Sequence, residues 1–353
     1  MTGQTKVLEL VLDGHDFYLG MEKGCFKDKH SNIEIYSLFE NETGEIVLSS
    51  GNSINTSVLA SCGFCDIPVL VLTRNHKTVA VFRGLDDDSH VKTRIAQYEA
   101  LKNGKGIQIA KTIVLTKIES QNIVLRKFSL EQHDLMAFKT KIENIESSNL
   151  KDMRKKLLLI EEKASKFYFH QIFQLLPRSL RINKRKGWKA FDRINNTFNL
   201  AYTLLKYCVH SAILKVHLEP YLGFVHGEQF GEPSLVCDLM ELYCYLIDNF
   251  IIEYSQNLKH EDFIFKSEWY STNRLGEYQV LNSERTRELM QILNMFFETK
   301  VGIPRIRHGF HQTLETLINE EILLFAKYLR DEREIWIPRL ATLDEPFLCC
   351  IIR

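Results

Sequence analysis

Three stretches of this chain place ionisable side chains where a helical core pattern would favour apolar ones. In the first, Leu157-Leu158-Leu159-Ile160 runs directly into Glu161, with Ala164 and Tyr168 on the same helical face at i+3 and i+7. Small Ala164 leaves room for another segment to approach Glu161, although a lone carboxylate on an amphipathic helix is ordinarily solvated. In the second, Pro220 and Gly223 interrupt helix, so His226 sits on a loop among Leu222, Phe224 and Val225. An imidazole there suits a metal ligand, a proton carrier or a hydrogen-bonded structural histidine. The third gives the strongest local signal. Pro233 or Ser234 opens a helix on which Asp238 and Glu241, at i and i+3, share a face amid Leu235, Val236, Leu239, Met240 and Leu242. Two acids on so apolar a helix repel each other and lose solvation unless a cation offsets them. Two or three carboxylates with one imidazole form an oxygen-rich donor set suited to Mn2+ or Mg2+ rather than to structural zinc. Such a site polarises a scissile phosphodiester and offsets charge on its leaving oxygen.

The elements that must position these residues fall into two halves. Up to about residue 83 the chain reads as short strands, near residues 7–12, 17–19, 33–36, 45–48, 69–72 and 79–82, with one short helix over 53–62. The acidic, turn-forming run 84–89 is a linker, in which Asp88 or Ser89 can cap the following helix. Beyond it apolar residues recur at helical spacing over 95–101, 107–125, 157–176, 198–214, 235–254 and 314–329. The expected fold is α+β: a small N-terminal β-rich domain over 1–88 and a large all-α catalytic domain over 89–353.

Lys and Arg together number 45, as do Asp and Glu, so net charge gives no hint of a polyanionic partner. The distribution does. Residues 151–193 carry thirteen basic and four acidic side chains, and the remainder carries the opposite excess. Arg178, Arg181, Lys184, Arg185, Lys186, Lys189 and Arg193 surround Trp188, offering phosphate contacts and one stacking plane for DNA. Such a charge run is equally a solvated face, and nothing in it suggests base readout. The eight scattered cysteines fit a reducing compartment, and Cys62-Gly63-Phe64-Cys65 lacks the second ligand pair that zinc requires. No apolar run reaches bilayer length, so a soluble cytoplasmic protein that does not engage a membrane is expected.

The order and wording of these segments resemble the CRISPR-associated adaptation integrase family, the first-numbered Cas proteins. Glu161-Glu162-Lys163-Ala164-Ser165 matches the family's E-G-x-A-A helix. Asp192-Arg193-Ile194-Asn195 and Asn199-Leu200-Ala201-Tyr202 echo its D-x-x-N and N-Y-G-Y stretches. His217-Leu218-Glu219-Pro220-Tyr221-Leu222-Gly223-Phe224-Val225-His226 follows G-L-D-P-x-x-G-F-L-H, and Ser234-Leu235-Val236-Cys237-Asp238-Leu239-Met240-Glu241 matches S-L-V-x-D-L-M-E. Arg94, Gln97, Lys111, Lys117 and Gln121 fit the family's connecting helices, and the likeness spans about residues 5 to 340. Departures are Glu162 for a glycine, Ala201 for a glycine, and the absence of an arginine shortly after Glu241.

That resemblance implies Glu161, His226 and Glu241 as ligands of Mn2+ or Mg2+, with Asp238 a supporting carboxylate. It implies a homodimer built largely through the β domains. It also implies a second-numbered Cas adaptation protein as partner, and double-stranded and branched DNA as substrates. The activity it implies is insertion of foreign DNA spacers into a repeat array by attack of 3′-hydroxyls on phosphodiesters. Two alternatives share these residues. One is a transposon-type integrase, whose relatives tend to carry a further C-terminal DNA-binding module. The other is a non-catalytic DNA-binding assembly subunit, which three acids and one imidazole kept without a metal disfavour.

Overall fold

A computed structural model describes residues 8–12, 17–22, 25–28, 33–37, 43–64, 67–73, 78–82, 84, 89–187, 190–227, 232–271, 274–301 and 312–343. The chain divides into two compact units, Met1–Ser89 and His90–Arg353. Its class is mixed α+β, with strands concentrated in the first unit and helices in the second.

The first unit contains β1 (Leu8–Leu12), β2 (Tyr18–Glu22), β3 (Cys25–Asp28), β4 (Ile33–Ser37), β5 (Thr43–Ser49), β6 (Ser53–Ile54), α1 (Thr56–Phe64), β7 (Val69–Leu72) and β8 (Thr78–Phe82). One sheet runs β1-β5-β7-β8, parallel except for the antiparallel β8; the other runs β4-β3-β2-β6, antiparallel except for β6. The run Val69-Leu70-Val71-Leu72 suits an inner strand buried on both faces. Leu19, Ile46, Leu48, Val58, Cys62, Ile67 and Val69 form the small core. Cys62 is therefore a packing residue, and Cys65 lies outside the described residues. The helix expected from residue 53 starts at Thr56, because Ser53 and Ile54 pair with β2 and the Asn55 side chain accepts the Ser57 N–H at 2.9 Å.

The second unit comprises α2 (Ser89–Lys102), α3 (Gly104–Lys127), α4 (His133–Glu143), α5 (Leu150–Ile172), α6 (Arg193–Lys215), α7 (Ser234–Met240), α8 (Cys244–Ser255), β9 (Phe263–Ser271), β10 (Arg274–Leu281), α9 (Ser283–Glu298), β11 (Lys300–Val301), β12 (Gln312–Thr313) and α10 (Leu314–Leu329). It is predominantly helical, as the periodicity predicts, but with strands β9–β12 among the helices where an all-α domain is expected. β9 and β10 form an antiparallel hairpin in which the consecutive residues Ile264 and Phe265, on opposite faces, are both exposed, so no period-two alternation marks it in the sequence. α6 holds it in place: the Asn196 amide donates to the Gln279 carbonyl at 2.7 Å, and the Gln279 N–H donates to the Phe191 carbonyl at 3.0 Å.

A second correction concerns residues 235–254, which read as one helix and are two. Apolar spacing continues unbroken through Leu239, Leu242, Tyr243 and Leu246, all buried, so hydrophobicity alone conceals the turn between α7 and α8. Glu241 sits at that turn. Side-chain caps fix where the site-bearing helices begin: Asn103 accepts the Lys105 N–H for α3, Asn149 the Asp152 N–H for α5, and Asp192 the Asn195 N–H for α6. After α10, Trp336 donates to Glu321 at 2.8 Å and Arg339 pairs with the same carboxylate, pinning the following segment to the helix. Among the described residues, no helix is long and apolar enough to cross a membrane.

Candidate active site

On α5 the buried stripe Met153, Leu157, Ala164, Tyr168 and Ile172 sets the helix phase, and Glu161 falls within it. Its carboxylate faces α3 and meets an ammonium group. Lys117 donates to Glu161 Oε1 at 2.5 Å and lies 2.8 Å from Glu241 Oε2, so one cation joins the acids of α5 and of the α7–α8 turn. The three side chains are 13–21% exposed, which leaves this charge triad weakly screened. Burial pushes the Glu161 carboxyl up, but the Lys117 charge and hydrogen bond, the Ser165 hydroxyl at 2.7 Å and the His226 charge more than reverse this. Glu161 is thus held ionised.

His226 reaches the same region from a loop that three elements restrain. From α2, the Gln97 amide donates to the carbonyls of Glu219 and Leu222 and accepts the Glu219 N–H. From α5, Arg154 donates to the carbonyls of Gly223 and Phe224. From α7, the fully buried Asp238 accepts four hydrogen bonds. The N–H groups of Phe224 and Val225 reach Oδ2, and the His226 N–H and Nδ1 reach Oδ1 at 2.9 and 2.7 Å. Gly223 permits this close approach, since a Cβ there would lie 2.8 Å from Asp238 Oδ2 and from the Ser234 backbone. Burial lowers the His226 affinity for a proton, yet the Asp238 hydrogen bond and charge, with the Glu241 charge, raise it above its ordinary range.

Asp238 and Glu241 therefore do not act as one acidic face. Asp238 orients the loop and the ring, whereas Glu241 pairs with Lys117. Among the described residues, no three His, Cys, Asp or Glu side chains close on a single point. The donor set nevertheless fits a divalent ion. Two carboxylates already share one cation position, and the imidazole has Nδ1 anchored on a carboxylate, as metal-binding histidines usually do.

Beside Glu241 opens a cavity of about 210 Å³ whose lining includes Lys117, Gln121, Arg185, Tyr202 and Asp248. Arg185 donates to Asn195 at 3.1 Å and Asn199 at 2.7 Å, and its guanidinium lies 5.0 Å from the centre of the Tyr202 ring. Buried Asp248 accepts hydrogen bonds from Tyr168 at 2.9 Å and from Tyr202, joining α8 to α5 and α6 beneath the site. Burial pushes the Asp248 carboxyl up to about 6, with both hydroxyls pulling it back.

The remaining basic residues divide by surroundings. Arg178, Lys184 and Lys186 are exposed. Arg181 is exposed too, but its guanidinium donates to the carbonyls of Leu176 and Gln174. Arg193 is committed to the hairpin, donating to Gln279 at 2.8 Å over the Phe263 ring. Trp188 and Lys189 lie outside the described residues. Sequence reasoning placed Lys117 and Gln121 on a helix without a role and missed Asp248. A signal existed: Lys117 interrupts the buried run Ile113, Val114, Thr116, Ile118, and a lysine there requires acids opposite.

A β-rich unit followed by a helical unit is a fold this chain shares with solved structures. A casposase bound to integration product matches with a TM-score of 0.69 and 20% identity, over 93% of this chain and 92% of that one. A Cas1 protein from Thermotoga maritima matches at 0.71 and 20%, over 93% and 99%. The chain belongs to the CRISPR-associated Cas1 family, whose model, CRISPR associated protein Cas1, matches residues 10–285. Its curated relatives include proteins named CRISPR-associated endonuclease Cas1. The one from Archaeoglobus fulgidus is 28% identical over 66% of this chain and 74% of the relative. Another, from Thermodesulfovibrio yellowstonii, is 31% identical over 62% and 71%.

Proposed function

We propose that this protein is a divalent-metal-dependent DNA integrase and endonuclease of CRISPR adaptation. It acts in the cytoplasm as a homodimer with a Cas2 partner and joins the 3′-hydroxyls of spacer DNA to repeat phosphodiesters. The observation that carries the reading is the single cation position shared by Glu161 and Glu241, beside an imidazole that Asp238 holds in one orientation. Family membership supports the reaction class, and a structural neighbour described as a Cas6-RT-Cas1–Cas2 complex supports the partner. A second reading, transposon-type integration, draws on the casposase likeness; the curated relatives favour the CRISPR setting.

Glu161, Glu241 and His226 would hold Mn2+ or Mg2+, which supplies Lewis acidity toward the phosphodiester and offsets charge on the leaving oxygen. The chain's own residues do the rest. Asp238 fixes the ring so that Nε2 is the nitrogen left for coordination or proton transfer. Exposed Arg178, Lys184 and Lys186 supply phosphate contacts for double-stranded and branched DNA.

The test is strand transfer by the purified protein between a duplex with free 3′-hydroxyls and a repeat-bearing plasmid. Joining is expected with Mn2+ or Mg2+ and should stop on chelation; joining at full rate in EDTA would refute the metal reading. Replacing Lys184 and Lys186 together by alanine should weaken DNA binding across all sequences alike. It should also flatten the log affinity–log salt slope by about 1 to 2. An unchanged slope would remove these residues from the interface.

A further inference from the structure

The acids read as metal ligands are already bridged by a side chain of the protein itself. Lys117 stands 2.5 Å from Glu161 Oε1 and 2.8 Å from Glu241 Oε2, the position a shared divalent ion would take. An ammonium and a divalent ion cannot both occupy it, because adjacent cations repel and the space between the two oxygens is single. A second observation shows where the ammonium can go. Gln121 lies one turn further along α3, at i+4, on the same helical face. It is 4% exposed, and its side-chain carbonyl oxygen has no hydrogen-bond partner. Turning the amide over would not help: its nitrogen faces the Ser165 hydroxyl oxygen at 3.5 Å, and that hydroxyl already donates to Glu161. A buried acceptor left unpaired is costly, and it borders the same cavity as Lys117.

We propose that Lys117 is a displaceable counter-cation, holding Glu161 and Glu241 together until a divalent ion enters and then moving to the Gln121 carbonyl beside the cavity. The inference rests on the reading that those two acids bind metal. It gives the four-carbon lysine stem a purpose that arginine would not serve, since a compact ammonium on a flexible chain can exchange acceptors within one helical turn. It also explains how two carboxylates remain paired in the metal-free protein without repelling each other.

Mn2+ binding to the full chain without DNA, followed by the electron paramagnetic resonance of free Mn2+, separates the outcomes. K117M should bind Mn2+ about tenfold or more tightly than wild type, and Q121L about threefold or more weakly. The double variant should behave as K117M, because Gln121 has no ammonium left to receive. Metal-free K117M should melt several degrees lower than wild type and recover on adding Mn2+. A K117M affinity equal to or below wild type, or a Q121L effect that persists in the double variant, overturns the inference. Wild-type protein provides a route that needs no variant to fold. Acylation of Lys117 by an amine-reactive ester, read by mass spectrometry, should rise several-fold when Mg2+ saturates the site, and constant labelling overturns the proposal. If wild type bound no Mn2+ at all, the metal-dependent reading would fall with it; wild-type binding with K117M unchanged sinks this inference alone.

Discussion

Glu161→Gln and Glu241→Gln are each expected to lower metal-dependent strand transfer by roughly a thousandfold or more while leaving the protein folded. Glutamine keeps the shape of each side chain but removes the charge that fixes a cation between α5 and the α7–α8 turn. Lys117 retains one acid in either variant, so the fold keeps a partner for its ammonium and the cost in stability should be modest. His226→Ala should give a loss of similar order, with Asp238 still bound to three backbone N–H groups and the loop therefore still in place. Single-turnover joining assays, with size-exclusion chromatography for assembly, measure both effects. Near-normal joining by all three variants would show that the acids and the imidazole serve structure alone.

Asp238 should behave differently, combining a large loss of stability with a loss of activity. Both of its oxygens are filled by two donors each, and the residue has no exposed surface. Asp238→Ala strands three backbone N–H groups and the ring nitrogen at roughly 1–3 kcal/mol for each buried group left unsatisfied, with incomplete additivity. Asp238→Asn is nearly as harmful, because its NH2 must face two donors whichever way the amide turns. The pH dependence has a definite sign. His226 takes a proton more readily in the folded protein than in the unfolded chain, so the stability this adds is fully present below the unfolded value near 6.5. It is lost as pH rises through the elevated folded value. In Asp238→Asn that component should shrink, since the hydrogen bond and charge that raise the value are gone. Thermal melts from pH 5 to pH 9 test this; a wild-type profile matching that of Asp238→Asn would remove Asp238 as the cause.

The two acids of α7 show why sequence reading succeeds and where it stops. An i, i+3 spacing places Asp238 and Glu241 near one face, and their apolar surroundings mark them as acids that need partners. The spacing is silent about which partner each finds. The helix ends at Met240, so Glu241 leaves toward α3 while Asp238 turns inward to the backbone of residues 224–226. The hairpin β9–β10 escaped detection for a related reason: its strands satisfy each other and α6, and the consecutive Ile264 and Phe265 are both exposed, so burial does not alternate along β9.

From its sequence alone this chain declared an α+β class, a change from strands to helices near residue 89, and Glu161, His226, Asp238 and Glu241 as residues of chemical interest. Periodicity and breaker residues are local, and they report which face is buried over one or two turns. The meeting of α3, α5 and the α7–α8 turn around Lys117 was settled by tertiary structure. So was the commitment of Arg193 to the hairpin and of Arg185 to the cavity. Charge pairing across 44 and 124 residues depends on how helices pack, and no local pattern encodes that.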